Sequence, residues 1–124
     1  MSLNSNLPVS TISTTALAAS LVVSNKAGRL YASFGYIDAS AATAVYYIQV
    51  FNTTSEPIDT TAVSSTMPTA IVVNHTNGTP TQFQMNYTDI NGVACSTGIT
   101  ICVSTTQFTK TAAGSVASIT GFYR

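Results

Sequence analysis

Charged side chains are scarce in this chain. Its 124 residues include four basic and four acidic side chains, or 6%, against roughly 25% in an average soluble domain. A folded monomer of this length exposes about 6,300 Å² of surface, which is one charge per ~800 Å². Each partner in a standard protein interface buries about the same area. With a net charge of zero, little repulsion keeps copies apart. This composition is atypical of a free cytosolic enzyme, a nucleic-acid binder or a disordered tail.

Long apolar runs are missing as well. No stretch approaches the ~18 apolar residues of a membrane helix, and residues 1–10 contain neither a basic side chain nor an apolar core. The pattern therefore predicts no signal peptide and no membrane partner. The cations are too few and too scattered to follow a phosphate backbone, so we also expect no nucleic-acid partner. They are Lys26, Arg29, Lys110 and Arg124.

Groups that carry catalysis or bind metals are few. The one histidine, His75, lies beside a predicted turn, and 36 Ser and Thr hydroxyls around a single His give many formal triads but no evidence for any. The carboxylates fall in predicted loops without the close spacing of a calcium site. They are Asp38, Glu56, Asp59 and Asp89. Since a phosphate-binding glycine loop is also missing, we expect no enzyme activity, no catalytic or cofactor-binding residues, no metal site and no cofactor.

Residues that favour β-structure are abundant. Val, Ile, Thr and the aromatics number 52, whereas the long helix formers number 17. β-Branched and aromatic side chains pack well on a pleated sheet and lose rotamer freedom in a helix. Ser and Thr hydroxyls can be buried against a neighbour at far smaller cost than charges. The composition predicts an all-β domain whose surface suits packing among other molecules; a monomer with a Thr-rich exterior is the alternative.

Short apolar segments separated by turn signals indicate about eight strands in one domain. We predict strands in the second half of 16–23 and at 29–37, 45–51, 70–74, 82–87, 98–104 and 115–123. Turn signals are strong at 76–80 and 89–92 and weaker at 110–114, and Pro57 places 52–61 in a long loop. This spacing is typical of a sandwich or small barrel. We predict a jelly-roll-like antiparallel β-sandwich.

The aromatic residues lie within these strand patterns. In the segment 29–37, Leu30, Ala32, Phe34 and Tyr36 alternate on one face with Tyr31, Ser33 and Gly35 on the other. The six tyrosines could stack on sugars, but their positions in apolar strand patterns favour roles in the core or at an interface. Cys95 and Cys102 are ~20 Å apart if the chain between them is extended, beyond disulfide reach. We expect both to be reduced.

The N-terminal segment differs from the rest of the chain. It is uncharged, with apolar side chains scattered through Ser, Thr and Asn, and its apolar area is too small to fold alone. We predict an extended N-terminal arm over residues 1–18, followed by a sandwich domain over 19–124. The arm would bind a partner by strand addition rather than join the sandwich. Its candidate contact residues are Leu3, Leu7, Val9 and Ile12.

Several strand and turn segments resemble those of small virion proteins of tailed bacteriophages. That family has a turn followed by a strand, then a second strand, and then a loop that contains a proline. The matching segments here are Gly28-Arg29-Leu30-Tyr31, Tyr47-Ile48-Gln49-Val50-Phe51-Asn52 and the loop with Pro57. The segments 96–101, 104–106 and 108–111 are similar to its C-terminal half. The resemblance covers Ala19 to Arg124. One position departs from the pattern: the loop after Phe51 begins with Asn52, where the family usually has Asp, which puts any role of that carboxylate in doubt.

The resemblance implies a function as well as a fold. Such proteins are β-sandwich decoration (cement) proteins of the phage head, so we expect a virion protein on the outer capsid surface. It would bind the major capsid protein and itself, as a homotrimer at local three-fold positions, and the arm residues above would contact the capsid. Two alternatives remain open: a head-fibre or tail module that binds a host receptor or glycan, and a structural subunit of the tail or collar.

Overall fold

The computed structural model describes residues 9–87 and 91–124. These residues form strands and loops, with no helix among them. This part of the chain therefore contains no helix that could cross a membrane. The nine strands are β1 (Ser10–Ser13), β2 (Ser20–Ser24), β3 (Gly28–Ile37), β4 (Ala44–Phe51), β5 (Ile71–His75), β6 (Thr81–Asn86), β7 (Val93–Cys95), β8 (Ile99–Ser104) and β9 (Ala117–Tyr123).

The strands form two antiparallel sheets packed face to face. Sheet A has the order β1-β9-β3-β6, with the short β7 pairing with the first part of β3 beside β6, and sheet B has the order β2-β8-β4-β5. Without β7, the eight remaining strands have the connectivity of a jelly roll: consecutive strands lie in opposite sheets, except β4 and β5, which pair within sheet B. The predicted all-β antiparallel sandwich is therefore confirmed.

The core lies between the two sheets. Its fully buried side chains come from both, with Leu30, Ile37 and Ile119 on sheet A and Ile48, Ile99 and Ile101 on sheet B. Burying a side chain of this size stabilises the fold by about 1.5–3 kcal/mol. β-Branched residues predominate in the core, as the composition predicted.

A β-bulge in β3 changes which side chains face the core. The register of β3 against β9 shifts between Leu30 and Ala32, so Tyr31 has no partner directly opposite it. Leu30 points into the core, whereas Ala32, Phe34 and Tyr36 lie on the outer face of sheet A, opposite the β6 residues Asn86, Gln84 and Gln82. The sequence analysis placed these four residues on one face. That was wrong, because a bulge shifts the period-2 alternation by one residue.

Strand β1 lies inside the segment predicted to be a free arm. Residues Ser10–Ser13 pair with β9, the Thr14 hydroxyl accepts a hydrogen bond from the Ile119 N–H at 3.1 Å, and Ile12 packs partly against the core. The isolated bridge between Ala18 and Ala117 continues this pairing. The sandwich therefore begins by Ser10, and the boundary predicted at residue 18 is corrected. A single apolar residue among hydroxyls, as in Ser-Thr-Ile-Ser, gives no strand signal in the sequence.

Candidate interaction surfaces

The candidate contact residues of the N-terminal segment have different surroundings. Val9, just before β1, is 46% exposed, and Ile12 is half-buried within β1. Leu3 and Leu7 lie outside the described residues. Of the four, Val9 is available to a partner, Ile12 contributes to the fold, and the predicted capsid contact of all four remains a prediction.

The described residues do not bring metal-ligating or nucleophilic side chains together. Among them there is no group of three His, Cys, Asp or Glu side chains that could hold a metal ion, and Asp89 lies outside them. Cys95 and Cys102 are buried, unpaired thiols, as predicted. Burial raises the pKa of both, that of Cys102 to about 12, so these thiols stay protonated at neutral pH.

The tyrosines divide between the core and the surface. Tyr46 and Tyr87 are buried with bonded hydroxyls: Tyr46 donates to the Ala42 carbonyl at 2.8 Å, and the hydroxyl oxygen of Tyr87 lies 3.0 Å from Ser33 Oγ. Burial raises the pKa of Tyr87, although the bond to Ser33 opposes the shift. Tyr36 is 37% exposed on the outer face of sheet A. The core role that the sequence favoured therefore holds for Tyr46 and Tyr87, whereas an interface or sugar-binding role for Tyr36 stays a prediction.

Two loops cover much of the outer face of sheet B. They are residues 52–69 and residues 105–114, which we call the loop platform. Beneath them the outward-facing side chains Gln49, Thr100 and Cys102 are fully buried. The two loops are paired with each other, since Thr60 N–H donates to the Lys110 carbonyl at 2.7 Å and Lys110 N–H donates to the Thr61 carbonyl at 2.8 Å. The centre of this sheet, in β4 and β8, is therefore buried on both faces, whereas the outward-facing Val72 of β5 stays exposed.

Buried polar side chains hold the loop 105–114 in one conformation. The Gln49 amide Nε2 donates to the carbonyls of Thr106, Gln107 and Thr109 at 2.8, 3.1 and 2.9 Å. The Ser104 hydroxyl accepts the N–H groups of Thr106 and Thr111 at 3.1 and 2.9 Å. Buried backbone groups are costly to leave unpaired, so these two side chains determine how the chain turns after β8.

An ion-pair cluster joins the two loops. The Lys110 side chain is only 4% exposed, and its Nζ lies 2.6 Å from Glu56 Oε2 and 2.9 Å from Asp59 Oδ1. A hydrogen bond from Lys110 lowers the pKa of each carboxyl. Glu56 also accepts a hydrogen bond from the Ser20 hydroxyl, and Asp59 accepts one from the Ala112 N–H, and these bonds lower the two pKa values further. Desolvation of the ammonium opposes its charging, but the bonds to the two carboxylates outweigh this and raise the pKa of Lys110. Three of the eight charges therefore interact mainly with one another.

The Asn52 side chain caps the chain before β8. Its Oδ1 accepts the N–H groups of Thr97 and Gly98 at 2.8 and 3.3 Å, and its Nδ2 donates to Ser96 Oγ at 3.0 Å. A carboxylate oxygen can accept the same two N–H groups. The Asn in place of the expected Asp therefore keeps the backbone contact, and this position has a structural role here.

An aromatic side chain projects from the loop platform. Phe108 is 72% exposed, although its carbonyl accepts the Val63 N–H at 2.9 Å. Beside it lies an open pocket of about 280 Å³ whose apolar lining includes Val63, Met67, Pro68 and Ala70. The residues that line this pocket are all uncharged. Ile58, on the same platform, is 80% exposed but does not line the pocket.

The outer face of sheet A carries aromatic and amide side chains, and no charge, where β6, β9 and the second half of β3 pair; Arg29 lies on the same face at the β7 end of β3. Phe34 and Phe122 meet edge to face with ring centroids 5.3 Å apart, and Phe122 is 38% exposed. The adjacent β6 row presents Gln82, Gln84 and Asn86 to solvent. A groove of about 440 Å³ runs between the two rows.

The edges of both sheets are uncharged as well. The edge strands β1, β2, β5, β6 and β7 contain no charged residue. Proteins commonly protect exposed edges with charges, prolines or bulges, because unpaired strands template association. Val72 on the β5 edge is 51% exposed. These edges therefore lack the charges that usually oppose association.

Sequence reasoning missed the loop platform and the polar groups beneath it. Gln49 and Lys110 both lie in segments that the analysis quoted, but polar residues are usually exposed, and only the fold brings Gln49 beside Thr106 and Lys110 beside Glu56. The low density of charge on the surface, by contrast, follows directly from the composition. Comparisons of the chain with protein-family models, curated proteins and solved structures gave no match.

Proposed function

We propose that this chain is a structural protein of a phage virion, most simply a head decoration protein that binds the major capsid protein and ties neighbouring capsid subunits together on the outer surface. The observation that carries the proposal is the scarcity of charge on the described surface: the five edge strands contain no charged residue, the aromatic and amide part of the outer face of sheet A contains none, and the ion pairs of the described residues lie in one cluster. Such a surface suits burial against other subunits.

The mechanism is linkage between binding and assembly. A protein that binds the assembled shell but not its separate parts stabilises the shell by its binding free energy. Uncharged faces and hydroxyl groups can be buried without the desolvation cost of ions. Each decoration protein then adds interface area between capsomers, which resists the outward pressure of packed DNA. A homotrimer at a local three-fold position would contact several capsid subunits at once.

The copy number in purified virions tests this proposal. A head decoration protein repeats with the icosahedral lattice and is expected in hundreds of copies, whereas a tail, collar or fibre subunit follows a ring symmetry and is expected in about six to eighteen. Quantitative mass spectrometry against the major capsid protein gives this number. A count below about twenty would exclude the head coat, and a complete absence from virions would exclude the virion protein altogether.

The outer face of sheet A favours one alternative, a head-fibre or tail module that binds a glycan. The apolar side of a pyranose ring packs on aromatic rings such as Tyr36 and Phe122, and amides such as Gln84 can bond to sugar hydroxyls. A glycan array probed with the purified protein tests it. Specific binding that is lost in Tyr36→Ala, together with a low copy number, would support this alternative over decoration.

A further inference from the structure

We propose that Phe108 is the anchor by which this chain attaches to its shell: its ring inserts into an uncharged apolar pocket on the capsid protein. This inference rests on the proposed function. Phe108 is 72% exposed to water. Because burial of an aromatic side chain is favourable, moving this ring into an interface would stabilise the complex. Single exposed apolar residues are common, so the argument depends on how Phe108 is held.

Hydrogen bonds tie the loop that presents Phe108 to the sheet below it and to the neighbouring loop. The residues on either side of it, Gln107 and Thr109, accept hydrogen bonds from the buried Gln49 amide, and Phe108 itself pairs with Val63. Its ring has only two side-chain torsions to fix on binding. Preorganisation of this kind lowers the entropic cost of association. Interface hot spots are typically large side chains that fill well-packed, desolvated pockets on the partner.

The surroundings of Phe108 define the partner's chemistry. The one cation of the loop, Lys110, is bound to Glu56 and Asp59 and turned away from solvent, so the tip of the loop presents hydroxyls and amides around one ring. The apolar pocket beside Phe108, with Val63 and Met67 in its lining, extends the contact. A lipid surface would need several apolar side chains and available cations. An uncharged protein surface with an apolar pocket fits this tip.

The test is a titration of the protein onto heads assembled without it, with three variants. Phe108→Ser removes the ring, Phe108→Leu keeps apolar volume, and Ile58→Ser is the matched control because it removes a more exposed apolar side chain outside the pocket. We expect Phe108→Ser to lower the affinity about 30-fold or more, as loss of a hot spot does, and Phe108→Leu to lower it less. Ile58→Ser should leave it nearly unchanged, and the melting temperatures of all three should match the parent.

Each outcome decides a different point. If the parent protein binds and Phe108→Ser binds equally well, Phe108 is not the anchor, whereas the decoration function stands. If Ile58→Ser weakens binding as much as Phe108→Ser, any loss of apolar surface has the same effect and the specific pocket is contradicted. If the parent protein fails to bind heads at all, the proposed function fails, and the anchor fails with it.

Discussion

Gly35 lies where β3 and β9 pass closest to each other. A Cβ at this position would overlap the Ser118 carbonyl oxygen, and its φ of 155° is one that L-residues rarely adopt. We expect Gly35→Ala to lower the free energy of unfolding by about 3 kcal/mol, because the backbone of a central strand pair must shift. Gly78→Ala is the control, with a positive φ but open space around it, and should cost about 1 kcal/mol. Urea unfolding measures both; equal losses would contradict the close approach.

The ion-pair cluster gives the protein a pH dependence at acidic pH. The folded pKa values of Glu56 and Asp59 lie below their ordinary values of 4.5 and 3.8, so their contribution to stability is present above those values and is lost as the pH falls through the folded ones. The raised pKa of Lys110 gives the opposite pH dependence. Its contribution to stability is present below pH 10.5, the ordinary pKa of lysine, and is lost as the pH rises through the higher folded pKa.

Replacing Lys110 by Met tests this cluster. At pH 7 the variant should be less stable than the parent by about 1–2 kcal/mol, a modest value because both carboxylates are partly exposed and screened. The difference should shrink towards pH 3. Hydrogen bonds from Ser40 also lower the pKa of Asp38. Because Asp38 is present in both proteins, its contribution cancels in the difference between their stabilities. A difference that stays constant from pH 7 to pH 3 would show that packing, not the ion pairs, accounts for the loss.

At the scale of the strands, the sequence predicted the long elements and missed the short ones. The predicted strands at 29–37 and 45–51 match β3 and β4 within one residue, because Val, Ile and Tyr are dense there. The three-residue β7 and the four-residue β1 have too few apolar residues for a period-2 pattern. The loop platform was beyond prediction for another reason: its position depends on contacts such as Gln49 to Thr109, 60 residues apart in the sequence.

The position of β1 predicts different effects for substitutions at Ile12 and Val9, the two candidate contact residues that lie within the described part of the chain. Ile12 packs partly against the core, so we expect Ile12→Ser to lower the free energy of unfolding by about 1–2 kcal/mol. Val9→Ser changes an exposed residue before the strand and should stay within about 0.5 kcal/mol. Thermal melting of both variants separates a structural role from a binding role. Equal melting temperatures would mean that β1 contributes little to the sandwich.

At the scale of the whole molecule, the low charge density sets how copies interact. The folded chain exposes 6393 Å², close to the area expected from its length. Its edge strands, and the aromatic and amide part of the outer face of sheet A, carry no charge to oppose contact. We therefore expect the purified protein to be oligomeric. Sedimentation velocity at rising concentration measures this. A single monomeric species at high concentration would count against the argument from surface charge.

A charge placed on the outer face of sheet A refines that measurement. Gln84→Lys adds a cation in the β6 row of the outer face of sheet A, and Thr79→Lys adds the same charge in the exposed turn before β6. If the outer face of sheet A forms the contact, Gln84→Lys should shift the protein towards monomer and Thr79→Lys should not, because burying an unpaired charge is costly. An equal shift in both would indicate a general effect of net charge instead.

The central claim is that attachment rests on apolar and hydrogen-bonded contacts rather than on ion pairs. Exposed ion pairs are screened as the Debye length falls to ~3 Å at 1 M salt, whereas apolar burial tolerates simple salt and is strengthened by sulfate. The direct test is a titration of the protein onto undecorated heads at low salt and in molar sodium chloride. We expect the affinity to survive molar salt and to weaken in mild urea. A loss of a hundredfold or more in salt would show that a few charges dominate attachment and would contradict the account.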